Sequence, residues 1–87
     1  FLTLAIAPVL REIAEAYSAL DPFAHAAMEE TIHAIVELHG GNLKVHQPIR
    51  VALTGGTASP GLFEVMEILG RDEVVRRLRG AAGRIGA

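Results

Sequence analysis

His25, Glu29 and His33 stand four residues apart, so on a helix two imidazoles and a carboxylate would share one face, as metal ligands can. The HExxH arrangement is absent and the chain has no cysteine. The spacing therefore fits solvent-facing His–Glu pairs on a surface helix better than a metal centre, and no metal site is expected. His39 and His46 flank Gly40-Gly41 and read as polar residues at helix ends. Gly56 and Gly61 satisfy G-x-x-x-x-G, but Leu62 follows where a phosphate loop needs lysine and then a hydroxyl residue. Ser18 falls in an amphipathic stretch and Ser59 precedes a proline; neither sits in a nucleophile elbow. These residues alone are not expected to catalyse a reaction, and no catalytic residue is assigned.

Arg50 lies in a different kind of neighbourhood, QPIRVALTGGTASPGLFEV, residues 47–65, where prolines and glycines interrupt a helix-forming chain. One reading makes Arg50 a surface arginine that caps a carbonyl or pairs with an acid. The other makes its guanidinium plane a surface for stacking on, or hydrogen-bonding to, an unpaired base. Across the break, Ser59-Pro60 offers a hydroxyl, helix-terminal N–H groups and a rigid apolar plate. Gly55, Gly56 and Gly61 carry no β-carbon and allow close approach.

The elements that must hold this corner are helical by pattern. Ile6, Leu10, Ile13, Tyr17 and Leu20 recur at steps of three and four, predicting a first helix that starts near Pro8. Asp21-Pro22 predicts the start of a second helix, running through Met28, Ile32, Ile35 and Val36 to His39, with Gly40-Gly41 as its stop. NLKVHQ reads as a polar connector, and Pro48 as the start of a short helix ending at Gly55-Gly56. Ser59 and Pro60 suit the cap and first position of a fourth helix, with Leu62, Val65, Met66 and Leu69 inward and Gly70 as its end. Asp72 is the expected cap of a fifth, in which Val74, Val75 and Leu78 face inward and Arg76, Arg77 and Arg79 face mostly out. Residues 80–87 are expected to fray. The prediction is an all-α domain over residues 1–87, a compact bundle of about five short helices.

Composition narrows the function classes. The 87 residues are 51% hydrophobic and 21% charged, a globular balance. The lack of cysteine fits a reducing cytosol better than secretion. The apolar start FLTLAIAPVL is far shorter than the roughly 20 residues a bilayer requires, so no membrane partner is expected. A first residue of Phe1 rather than methionine points to a piece of a longer protein. Residues 1–43 hold six acids and one base, whereas residues 44–87 hold four acids and seven bases. Such asymmetry suits an anionic partner meeting only the second half, through Lys44, Arg76, Arg77 and Arg79 as phosphate contacts. A solvated arginine-rich helix is the plainer reading.

The stretch from Gln47 to Leu78 resembles the C-terminal signature of bacterial-type glutamyl-tRNA synthetases, which are class I aminoacyl-tRNA synthetases. The family pattern Q-P-L-R-V-A-L-T-G, then S-P-x-L, then a helix pair carrying E-x-x-x-x-L-G and R-L, is met at Gln47, Pro48, Arg50, Thr54, Gly55, Ser59, Pro60, Leu62, Glu64, Leu69, Gly70, Arg77 and Leu78. The first half agrees only in outline. The resemblance implies a domain that binds the anticodon loop of a glutamate-accepting tRNA, with Arg50, Ser59, Pro60 and Leu62 contacting the first anticodon base. It also implies a separate catalytic domain in the parent enzyme, where ATP and Mg2+ activate glutamate, with no cofactor in this segment and no DNA partner. Gly56 stands where many members place a basic residue, which removes a phosphate contact. The alternative function is a helical protein-interaction module that keeps the scaffold without binding RNA.

Overall fold

The computed structural model describes residues 4–56 and 61–86. The stripe Ile6, Leu10, Ile13 and Tyr17 is buried on one side of α1, Ala7–Ser18, whose first turn accommodates Pro8 because a proline there lacks only an amide the helix cannot use. α5, Arg71–Gly86, lies against α1 in the largest helix–helix contact of the domain. It contributes Val74, Val75, Leu78, Ala81 and Ala82 to the same buried cluster. The expected frayed tail is therefore helical to residue 86. Ala81 and Ala82 are fully buried, and the Arg11 guanidinium donates to the Ala82 carbonyl at 3.4 Å.

α2, His25–Leu38, begins later than the Asp21-Pro22 expectation. That peptide bond is cis, and the residues after it bring Phe23 edge-on to the Tyr17 ring, with centroids 5.4 Å apart. Packing thus decides where the helix starts, with Ala24 as an extended residue before it and no side-chain cap. The Tyr17 hydroxyl donates to the Met28 carbonyl at 3.2 Å and ties α1 to α2. The predicted glycine stop holds: the Gly41 N–H bonds Val36 O at 2.9 Å and the Gly40 N–H bonds Glu37 O at 3.1 Å. This is a Schellman pattern, with both glycines at positive φ.

α3, His46–Thr54, starts two residues before Pro48, inside the stretch read as a polar connector, because Val45 is buried and anchors its entry. α4 spans Leu62–Leu69 with Gly61 as the residue before it; the expected Ser59 cap and Pro60 start lie outside the described residues. Leu62 and Met66 are buried while Val65 and Leu69 are half-buried, and Phe63 also packs on the core. Gly70, at φ 86°, turns the chain directly into α5, so Asp72 sits exposed in the first turn instead of capping it. The fold is all-α, with no strand among the described residues.

Candidate nucleic-acid interface

α3 is a two-faced helix. Pro48, Ile49, Ala52 and Leu53 are buried. At 100° per residue, Gln47, Arg50 and Thr54 fall on the opposite side. Arg50 occupies the second turn, half-buried, with its Nε closed off from solvent and its side chain engaged with the surrounding protein. A guanidinium held in this way presents a defined plane.

The exit from α3 is built by Thr54 and Gly55. The Thr54 hydroxyl donates to the Arg50 carbonyl at 2.8 Å and accepts the Gly56 N–H at 3.3 Å. Gly55 adopts φ 82°, and its N–H returns to Val51 O at 2.8 Å. Open space surrounds the point where a Gly55 Cβ would sit, so the need for glycine is conformational, not steric.

Of the residues assigned to the base contact, the structure describes Arg50 and Leu62; Ser59 and Pro60 lie outside the described residues. Leu62 is only 4% exposed. Its side chain belongs to the core, at the first residue of α4. Glu64 in the first turn of α4 complements the positive end of the helix dipole.

The arginines of α5 are less available than their sequence suggests. Arg77 is half-buried; its Nε donates to Glu73 at 2.6 Å and its Nη1 to the Leu53 carbonyl, also at 2.6 Å. Arg76 pairs with Glu73 as well, and its side chain is 71% exposed. Arg79 reaches across to Glu15 of α1 at 3.3 Å with its side chain 53% exposed. Hydrogen bonds from Arg76 and then Arg77 hold the Glu73 carboxyl down at about 2, and Glu73 in turn raises the Arg76 guanidinium above its ordinary value. Lys44 is exposed, without an ion pair among the described residues. The (i, i+3) and (i, i+4) spacing of Glu73 to Arg76 and Arg77 signalled their pairing; the Leu53 and Glu15 contacts depend on tertiary packing.

The histidines are occupied otherwise. His25 lies 3.1 Å from Glu29 and stacks on Phe63 at 4.5 Å, while His33 approaches Glu37 at 4.0 Å. His39, at the end of α2, meets Glu12 at 3.0 Å, and His46 stands edge-on to Phe63. Among the described residues no three His, Cys, Asp or Glu side chains are grouped to hold a metal ion. No described helix is long and apolar enough to cross a membrane.

An all-α bundle with an arginine-bearing, glycine-terminated helix beside a second helix start is the setting in which the family comparison falls. The family described as "Anticodon binding domain" matches residues 3–82, and the chain belongs to it. Its relatives include the glutamate–tRNA ligase of Anaeromyxobacter sp. (strain K), 49% identical over 79 residues, 90% of this chain and 17% of that protein. The glutamate–tRNA ligase of Anaeromyxobacter dehalogenans (strain 2CP-C) is 51% identical over the same shares. That of Anaeromyxobacter sp. (strain Fw109-5) is 48% identical over 87 residues, 99% of this chain and 18% of its own. The chain thus spans under a fifth of the length of these relatives. No solved structure matches.

Proposed function

We propose that this domain recognises the anticodon loop of a glutamate-accepting tRNA as part of a cytoplasmic glutamate–tRNA ligase. A catalytic domain elsewhere in that parent chain would attach glutamate with ATP and Mg2+. The observation that carries the reading is the family match across nearly the whole chain, joined to relatives that are glutamate–tRNA ligases. The outward face of α3 supplies the chemistry. Arg50 stacks on or hydrogen-bonds the first anticodon base, and the glycine-rich exit lets the RNA backbone come close.

Phosphate contacts fall to exposed cations. Lys44 is available, and the solvent-exposed Arg76 and Arg79 side chains keep donors that can turn to a phosphate. With so few phosphates neutralised, affinity should fall with salt along a shallow slope. Deleting α5 would remove half of the main core pairing, so deletion cannot separate RNA binding from folding. The test is removal of the whole domain from the parent enzyme. KM for tRNA should rise more than tenfold while affinity for ATP is unchanged. An unchanged KM for tRNA would refute the proposal.

A further inference from the structure

We infer that Arg77 is a positioning residue that sets the orientation of Arg50 by clamping the end of α3 onto α5, an inference that rests on the anticodon reading above. A helix leaves its last carbonyls without intrahelical amide partners, and the negative end of its dipole collects there. The Leu53 carbonyl is one of these, and it receives the Arg77 Nη1 from another helix at 2.6 Å. The same guanidinium is held from its other edge by Glu73 at 2.6 Å. Leu53 is itself buried, so its carbonyl cannot swing to follow the arginine. The result is a polar brace running from α5 through Arg77 into the last turn of α3.

Three roles compete for this arginine. A phosphate contact requires donors aimed at solvent, yet two of the three guanidinium nitrogens point at protein acceptors and the side chain is only 36% exposed. A purely fold-holding tie is not what α3 lacks, since Pro48, Ile49, Ala52 and Leu53 already bury one side of it in the core, and a directional bond adds orientation to that burial. Positioning remains. Leu53 lies three residues beyond Arg50 on a helix of only nine residues. Rotation of α3 about its axis would therefore carry Arg50 with it. Side-chain atoms sit about 5–6 Å from a helix axis, so a 10° rotation moves the guanidinium by about 1 Å. A displacement of that size at a site needing defined geometry can cost up to about 100-fold.

The test uses the full-length ligase with wild-type tRNA transcripts and transcripts substituted at the first anticodon position, assayed at several salt concentrations. Arg77→Ala should raise KM for tRNA about tenfold, leave kcat unchanged, and flatten the preference for the native first base. The salt slope should not change. Arg77→Lys should fail to rescue, because an ammonium cannot bridge Leu53 O and Glu73 as the fork does. Glu73→Gln, which leaves the arginine in place, should give a smaller loss of the same kind. Arg76→Ala should leave base preference intact.

A shallower salt slope in Arg77→Ala with base preference retained would make Arg77 a phosphate contact and overturn the inference. Full rescue by lysine would overturn it equally. If Arg77→Ala does not fold, Glu73→Gln decides: unchanged base preference there defeats the inference. Arg50→Ala is the parallel control. Loss of base preference in Arg50→Ala but not in Arg77→Ala defeats positioning alone, whereas no loss in Arg50→Ala defeats the anticodon reading and the inference with it.

Discussion

The α1–α5 pairing and the corner that ends α3 solve different problems. Leu10, Ile13, Val74, Leu78, Ala81 and Ala82 pack α1 against α5 with almost no exposed surface. At the corner, Arg77 reaches a carbonyl, Thr54 bridges a turn, and a glycine takes a left-handed conformation. Apolar burial is non-directional and tolerates repacking, so it stabilises without fixing any one atom. Hydrogen bonds and backbone geometry contribute less energy but specify direction. Under the proposed reading, in which one guanidinium meets one base, the second kind of restraint belongs where the ligand is met and the first kind beneath.

Substitutions should separate the two. Leu10→Ala, in the fully buried pairing, should destabilise the fold by about 2–5 kcal/mol. Thermal melts should show a fall of roughly 4–8 °C for each kcal/mol. A fall of only a degree or two would mean that α1 and α5 are not the main source of stability. Gly55→Ala should cost less, about 1–2 kcal/mol, since a β-carbon meets open space but not an allowed φ. Gly55→Asn should recover part of that loss, because asparagine tolerates the left-handed region. Equal melting of the alanine and asparagine variants would contradict a conformational origin.

The smallest effect is a matter of pH. The Glu73 carboxyl, lowered by its bonds from Arg76 and Arg77, should titrate at about 2, below its ordinary 4.5. Between those values the unfolded chain takes up the proton first, so stability falls as pH drops through this window and is fully present above it. Carboxyl NMR of Glu73, with acid melts of Glu73→Gln alongside, reads both quantities. A Glu73 midpoint near 4.5 would show that the brace is not formed in solution.

The buried faces of α1 and α5 were legible beforehand because burial at 3.6-residue spacing leaves a pattern, carried by Leu10, Ile13, Val74 and Leu78, whereas the pairing of these two helices has no local signal. Helix starts were less so. Asp21-Pro22 has the residues of a cap, but Phe23 is drawn onto Tyr17 and α2 waits until His25. Val45 hid in a polar-looking connector because one apolar residue has no period. The alanine-rich end of α5 carries glycines that suggest fraying, and only contact with α1 makes it helical. At the candidate site, Arg50 stood out by its isolation among prolines and glycines. The link between Arg77 and Leu53 joins residues 24 apart in the chain and depends on how α3 meets α5, which no local pattern encodes.

The most direct test of the account is the charging efficiency, kcat/KM for tRNA, of full-length Arg50→Ala and Arg50→Lys on transcripts that differ at the first anticodon base. Arg50→Ala should lose about 1–3 kcal/mol of transition-state binding on the native transcript. The loss should shrink when that base is changed, and the melting temperature should hardly move. Arg50→Lys should recover only part, having charge without the planar fork. Equal losses on every transcript, no loss at all, or an unfolded Arg50→Ala domain would make Arg50 a structural residue and contradict its role as the base-reading arginine.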